Sequence, residues 1–273
     1  MKVAYVTWDG PDDEREPVLA AWLGADIEGA PVRWDDPAAD WSSFDAAVVR
    51  STWDYTHRRD EFTAWARRAG AATRLLNPAT VLTWNTDKTY LRDLGVPIVP
   101  THWTAVDIPV WDEYVVKPAI SAGARDTIRT RDRQQAEAFA VELESQGRTI
   151  MVQPYLPTVE HEGELSLLYF NGQFSHAVRR NPMLPPQGVS ASATELTRYS
   201  LRDPDDDQFE LAEQVLGQVA EELLYARVDL VRMPDGEPVL IELELTEPYL
   251  YLEAELDAPD MFAKALADML ATG

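Results

Sequence analysis

Apolar residues fall into short runs separated by polar, Gly- and Pro-containing turns, and the period of each run predicts its element. Val3 to Thr7 is β-branched and aromatic and stops at Trp8-Asp9-Gly10-Pro11, predicting a first strand that ends in a loop. Val18, Leu19, Trp22 and Leu23 repeat at helical spacing. Ala46 to Arg50 has a buried-strand pattern, with Ser51-Thr52-Trp53-Asp54-Tyr55 as the loop at its carboxyl end. Glu61 to Ala69 reads as helix, and Leu75-Leu76-Asn77-Pro78 ends another strand. This β-α-β-α rhythm predicts a parallel α/β unit up to about residue 78. Ligands of such sheets lie beyond the carboxyl ends of the strands, which here means beside Trp8-Asp9 and Arg50 to Tyr55.

The second half alternates differently. Asp87 to Leu94 predicts a helix stopped by Gly95 and Pro97. Tyr114 to Lys117 predicts a strand running into Pro118, followed by a small-residue loop, Ala119 to Thr127. Thr149 to Gln153 is a further strand. Leu165 to Phe170 and Phe174 to Val178 flank Asn171-Gly172, a strong hairpin signal. Asn181 to Asp207, rich in Pro, Ser and Asp, predicts a long loop. Gln208 to Leu224 predicts an amphipathic helix, and Arg227 to Arg232 and Val239 to Leu245 predict strands joined through Pro234-Asp235-Gly236. Pro259 to Leu270 predicts a terminal helix whose apolar face either covers its own sheet or packs a homodimer.

The last hairpin carries the candidate chemistry. Residues two apart in a strand share a face, so Glu242 and Glu244 point one way while Ile241, Leu243 and Leu245 point the other. Arg227 and Asp229 share a face of the partner strand. Pairing through the turn brings Asp229 near Glu242 or Glu244, and three carboxylates together repel unless something positive sits among them. A hard divalent cation fits, and all-oxygen ligation suits magnesium. A solvated acidic face on an edge hairpin gives the same pattern.

Composition narrows the partners. The chain has 273 residues, a formal net charge of -23 and no Cys. So much acid and no basic stripe make nucleic acid and anionic membrane surfaces poor partners. Without Cys there is no disulfide, thiolate nucleophile or zinc-thiolate site. The His residues, His57, His102, His161 and His176, show no ligand spacing. The N-terminus lacks the apolar stretch of a signal peptide, and no run of about 18 apolar residues could span a bilayer. The expected location is the cytoplasm. A dinucleotide fingerprint and a P-loop are both missing: the loop after the first strand, Asp9 to Asp13, is acidic and would repel a pyrophosphate.

Two lysines change the picture further. Lys88 opens a helix, and Lys117 ends an apolar strand, where an ammonium is costly unless it faces a cleft or an anion. A snorkelling strand-end lysine is the plainer alternative. The loop containing Ser121 and Gly123 has the small residues that let backbone N–H groups approach phosphate oxygens. Gln153-Pro154-Tyr155-Leu156 is a strand followed by an extended linker that can offer backbone groups to an adenine edge.

In this order the features resemble the ATP-grasp superfamily, which includes glutathione synthetases and D-alanine:D-alanine ligases. The resemblance is carried by Asp87-Lys88, Val116-Lys117-Pro118, Gln153 to Leu156, Gly163-Glu164-Leu165-Ser166, Arg227-Val228-Asp229 and Glu242-Leu243-Glu244. It implies an α/β fold, α+β in its C-terminal part, with an N-terminal parallel substrate-side domain (1–84), a small lid subdomain (85–155) and a large subdomain (156–273). It implies ATP and Mg2+ as cofactors, with Lys88 and Lys117 on the phosphates beneath Ser121 and Gly123. Gln153, Tyr155 and Leu156 would hold adenine, Glu164 the ribose, and Asp229, Glu242 and Glu244 the metal. Arg227 would steady the transferred phosphoryl group, with Lys117 and Arg180 beside it, and Arg179 and Arg180 would contact phosphate or substrate. Glu244 stands where most relatives have Asn, and Thr246-Glu247-Pro248 replaces a small-residue loop, making Glu247 a candidate to face a substrate amino group.

Arg50 to Tyr55 and Glu242 to Tyr251 also resemble the subgroup containing the cyclo-ligase of D-cycloserine biosynthesis, which closes O-ureido-D-serine. That resemblance implies a small amino-acid-like substrate contacted by Asp9, Arg50, Thr52, Trp53, Asp54 and Tyr55. The implied reaction forms an acyl phosphate that a nitrogen then attacks, within the same molecule or from a second one as in a peptide or amide ligase. A kinase-like or carboxylase relative and a non-catalytic nucleotide-binding protein are the alternatives.

Overall fold

The computed structural model describes residues 1–184 and 198–272, and its strands form three sheets. The first sheet is parallel, ordered β2-β1-β3-β4, from β1 (Lys2–Thr7), β2 (Glu28–Arg33), β3 (Ala46–Ser51) and β4 (Arg74–Leu76). Both faces are covered, which explains the uninterrupted apolar runs. Val3 and Tyr5 face a core with Trp22 of α1 (Arg15–Gly24) and Phe262 of α7 (Ala258–Ala271). Ala4 and Val6 face Phe62 and Trp65 of α2 (Arg59–Ala72). The apolar face of α7 is therefore used within the chain. Strand β2 was not anticipated: it is an edge strand containing Gly29 and Pro31, so it lacks the apolar alternation of a central one.

The second sheet, β6-β5-β7, is antiparallel and consists of β5 (Tyr114–Pro118), β6 (Ile128–Thr130) and β7 (Ile150–Pro154). It packs on α4 (Arg133–Ser145), which sequence pattern did not predict. Its signals were present: Asp132 caps the Gln134 N–H at 2.9 Å, and Ala136, Ala140 and Leu143 recur at helical spacing. The third sheet, β10-β9-β8-β11-β12, contains β8 (Glu164–Phe170), β9 (Gln173–Arg180), β10 (Tyr199–Leu201), β11 (Tyr225–Arg232) and β12 (Pro238–Glu244). Leu165, Leu167, Val228 and Leu230 on one face pack against α6 (Asp206–Leu216). The opposite face carries the polar residues described below. A one-turn helix, α5 (Val159–Glu162), enters β8.

Three expectations need correction. The helix expected to reach Leu224 ends at Leu216, with Gly217 as its cap. The helix expected from Asp87 is a 3-10 segment, Lys88–Arg92, capped by the Asp87 carboxylate on the Thr89 N–H at 3.0 Å. The loop expected from Asn181 to Asp207 includes β10 and the start of α6; residues 185–197 of it lie outside the described residues.

Strand β12 is a sheet edge, and side chains close it. Asn85, at the end of α3 (Ala79–Asn85), donates to the Leu243 carbonyl at 2.7 Å and accepts from the Leu245 N–H at 2.8 Å. The Tyr90 hydroxyl donates to the Leu243 carbonyl and accepts from its N–H, each at 2.8 Å. Asn77 donates to the carbonyls of Tyr225 and Leu245 at 3.0 and 2.8 Å. An edge strand closed this way cannot pair with another chain, and its register is pinned. Among the described residues no helix is long and apolar enough to cross a membrane. Asn85→Leu strands the buried Leu245 N–H and leaves the Leu243 carbonyl with Tyr90 alone, and is expected to cost about 1–3 kcal/mol. Urea unfolding should give a lower midpoint with an unchanged slope.

Candidate active site

One cavity of about 610 Å³ lies among the three sheets. Its floor is the polar face of the third sheet, and strand register fixes who stands beside whom. Arg180 pairs with Glu164, Asp229 with Ser166 on one side and Glu242 on the other, and Arg227 with Glu244. Gly163 precedes this row at φ 75°, and a Cβ there would collide with the Arg180 carbonyl, so the position needs glycine.

Asp229 is buried among cations. Its Oδ1 accepts from Ser166 Oγ at 2.6 Å and from Arg227 Nε at 2.9 Å. Its Oδ2 accepts from Arg180 Nη2 and Arg227 Nη2, both at 2.9 Å. Burial works against the charge, but the two guanidinium groups outweigh it and hold the carboxyl below its usual range. Those four bonds use all four of its lone-pair directions. Arg227 also bonds Glu244, and Arg180 bonds Glu164 at 2.8 Å.

The two lysines meet over this floor. Lys88 Nζ lies 3.0 Å from Glu242 and donates to the Ser121 carbonyl at 2.6 Å. Burial opposes its charge, but Glu242 prevails and raises its pKa. Lys117 makes no hydrogen bond or ion pair among the described residues. Burial pulls its pKa down, Glu242 opposes this and Lys88 adds to it. An ammonium held without a partner in a cavity is set for an anion.

Beyond Glu244 the carboxylates outnumber their partners. Glu244 is pushed up to about 7 by burial, with Arg227 opposing and the charges of Glu242 and Asp229 adding to it. Glu247 is pushed up to about 8 by burial and by Glu244. Among the described residues no three acidic or imidazole groups form a ready-made metal cage. The oxygen donors nevertheless suit a hard cation: Glu242 and Glu244 line the cavity half-buried, while Asp229 stands behind them fully bonded. An ion here would take Glu242 and Glu244, completed by phosphate and water.

The other walls have distinct chemistry. At the end of β7, Gln153 donates to Thr101 Oγ1 at 2.8 Å. Leu156, Val99, Val231 and Ile241 form an apolar slot beside it. Ile241 was expected on the opposite face from Glu242. A bulge moves it, since Leu230 pairs with Leu240 and Asp229 with Glu242, leaving Ile241 unpaired on the cavity side. The outer face of Tyr155 is taken by Arg129, 3.4 Å from the ring centre. Ser121 and Gly123 line the cavity in a loop whose Arg125 reaches across to His57 of the first domain.

The substrate-side residues divide. Trp53, Tyr55 and Glu247 line the cavity, joined by Trp8, and by Tyr249 and Tyr251, for which no site role was foreseen. Glu247, Tyr249 and Tyr251 lie in an irregular segment that bends at Thr246–Glu247 and has Tyr251 at φ 52°, so no strand alternation marked the two tyrosines. Asp9, Arg50, Thr52, Asp54 and Arg179 lie outside the lining. Asp9 is exposed near Arg33, and Asp54 accepts from Trp34 Nε1 at 2.9 Å. Thr52 is fully buried. Arg179 points to the other side of β9 from Arg180, as strand alternation requires, and bonds Asn181 and the His161 carbonyl. Arg50 is 1% exposed and pairs with Glu14 at 3.0 Å.

Comparison with known proteins identifies the fold and the family. Residues 3–77 match the family model described as D-cycloserine synthetase DcsG, N-terminal domain. The chain is 35% identical to the cycloserine biosynthesis protein DcsG of Streptomyces lavendulae, over 95% of this chain and 94% of that one. The crystal structure of D-cycloserine synthetase DcsG superposes with a TM-score of 0.90 at 34% identity, covering 99% of this chain and all of the other. An ATP-grasp RimK domain protein from Sphaerobacter thermophilus superposes at 0.69 with 18% identity, covering 98% of this chain and 100% of that one. The fold is the ATP-grasp fold, and the chain is a carbon–nitrogen ligase of the ADP-forming kind. Within that class the chain belongs to the DcsG family.

The raised Glu247 makes a signed prediction. Raising the pH from 4.5 through 8 ionises it in surroundings that disfavour the charge, so the folded state loses stability over that interval. Glu247→Gln should be the more stable protein at pH 9, by up to about 5 kcal/mol, and should converge with the native protein near pH 4.5. Urea unfolding at the two pH values measures the difference.

Proposed function

We propose that the protein uses ATP and magnesium to activate the carboxylate of a small amino-acid-like molecule and then closes it on its own nitrogen, converting O-ureido-D-serine to D-cycloserine. The observation that carries this reading is Lys117. Its unpartnered ammonium faces a floor where Arg227, Glu242 and Glu244 stand together, so anion, cation and acid sites converge in one cavity. The likeness to the cycloserine biosynthesis protein DcsG supports the substrate.

Lys88 and Lys117 hold the phosphates from the lid side and Arg227 from the floor, neutralising charge where it accumulates during transfer. Magnesium, when bound at Glu242 and Glu244, would supply further neutralisation across the phosphate oxygens. The apolar slot beside Gln153 and Leu156 takes the base, and Glu164 lies where the ribose hydroxyls would come. The substrate carboxylate oxygen bonds to the terminal phosphorus as ADP leaves. The ureido nitrogen then bonds to the acyl carbon as phosphate leaves and a proton is lost. Hydrolysis removes the carbamoyl group as carbon dioxide and ammonia. The loop of Ser121 to Thr127, joined to the first domain through Arg125 and His57, excludes bulk water from the activated acid. No side chain acts as a nucleophile. Nothing in this chemistry needs a membrane or a nucleic acid, and the cytoplasm supplies both cofactors.

Incubation with O-ureido-D-serine, ATP and magnesium should release ADP and yield a product with the mass of D-cycloserine. Lys117→Ala and Glu242→Gln should each lower kcat by about 10²–10³, the range found when a stabilising group at a developing charge is removed. Undiminished turnover in either variant, or ADP release giving a stable phosphorylated product, would overturn the assignment.

A further inference from the structure

The segment from Thr246 to Leu252 has no regular secondary structure, yet its backbone is held throughout by side chains. The Thr246 carbonyl accepts from the Tyr225 hydroxyl at 2.9 Å, and the Glu247 carbonyl from Trp53 Nε1 at 3.2 Å. The Pro248 carbonyl accepts from Arg50 Nη2 at 2.8 Å, the Tyr249 carbonyl from Arg227 Nη1 at 3.1 Å. His176 Nε2 lies 3.1 Å from the Leu250 carbonyl. The Leu250 and Leu252 N–H groups donate to Glu14 at 2.9 and 3.3 Å. Five consecutive carbonyls are thus each met by a different side chain.

The grip from the first domain is unusual in its cost. Arg50 and Glu14 are a buried ion pair 3.0 Å apart, and two of the three Arg50 nitrogens have no hydrogen-bond partner among the described residues. A buried pair contributes little net stability compared with apolar residues of the same volume, so stability alone does not account for it. What the pair does hold is the stretch that sends Glu247 into the cavity. Glu247 is 7% exposed, lines the cavity, and its carboxylate accepts no hydrogen bond among the described residues. Trp53, Tyr55 and Tyr249 line the same cavity. A buried carboxylate facing a cavity without a donor is satisfied by a primary ammonium.

We infer that Glu247 receives the ammonium group of the substrate and that the Glu14–Arg50 pair is its positioning element, holding the loop so that this carboxylate stands at a fixed distance from the phosphoryl-transfer centre. The inference rests on the ligase reading above. An amine held as an ammonium also has no lone pair, so it does not attack the activated carboxyl of a second molecule, and the oxygen-bound ureido nitrogen closes the ring. Arg50 thus acts on the substrate through the loop, from outside the cavity.

The test separates a positioning role from a structural one. Steady-state ADP release is measured with O-ureido-D-serine for Glu247→Gln, Arg50→Lys and the double variant Glu14→Gln/Arg50→Met. Binding of D-cycloserine and of its des-amino analogue, isoxazolidin-3-one, is measured by calorimetry with magnesium and ADP present. Glu247→Gln should raise the substrate KM at least tenfold, leave the KM for ATP within twofold, and abolish the preference for D-cycloserine over the des-amino ring. Arg50→Lys should raise the substrate KM severalfold. The double variant removes both buried charges, so its melting temperature should return close to that of the native protein while its substrate KM stays high. A KM that recovers with the melting temperature would reduce the pair to a structural role and overturn the positioning inference. A preference for the amine that survives Glu247→Gln would overturn the subsite itself. Should the native protein neither turn over O-ureido-D-serine nor bind D-cycloserine, the substrate reading fails and this inference with it.

Discussion

The active face depends on one carboxylate being kept ionised in the interior. Asp229 is 1% exposed, and an isolated charge at that depth would be neutralised or excluded. Arg180 and Arg227 prevent this by closing on its two oxygen atoms, and in doing so they are themselves fixed. Arg227 then has donors left for Glu244 and for the Tyr249 carbonyl, and Arg180 for Glu164. Replacing Asp229 would leave two buried guanidinium groups with diminished compensation on adjacent strands. Glu164, Glu244 and, at the Tyr249 carbonyl, the loop beyond β12 take their positions from it through the two arginines.

The surroundings divide the labour by charge. On the lid side Lys88 is neutralised by Glu242, whereas Lys117 is not neutralised by any direct contact among the described residues. On the far side burial and mutual repulsion raise Glu244 and Glu247 above the usual carboxylate range, so that charge there is costly until a cation arrives. The cavity thus runs from an unpartnered cation at Lys117 to acids at Glu244 and Glu247 that ionise readily only beside a cation. The proposed reaction needs that arrangement, since its two ends have opposite fates.

Much of this was legible because it is local. The final hairpin could be read from strand alternation and a Pro-Asp-Gly turn, and alternation alone put Arg227, Asp229, Glu242 and Glu244 on one face. The parallel domain was legible because its strands are buried on both sides. What escaped was set by contacts distant along the chain or by exceptions to period two. The Ile241 bulge breaks the alternation without any Gly or Pro to mark it. Edge strand β2 has no apolar face to betray it. Arg50 sits at a strand end where a ligand contact was the natural expectation, and only its 198-residue separation from Pro248 explains why it faces protein instead. The bonds that hold Asp229 were equally hidden, because their donors, Ser166, Arg180 and Arg227, come from three different strands.

The way the loop after β12 is held has a consequence for how such a site changes over time. Its grip is on carbonyls and N–H groups, which every non-proline residue carries, and scarcely on the side chains that enter the cavity. Residues 247 and 249 can therefore be exchanged while the path of the backbone stays the same. The scaffold behaves as a socket with replaceable inserts: new specificities are reachable by single substitutions at these positions, without first rebuilding the frame that presents them.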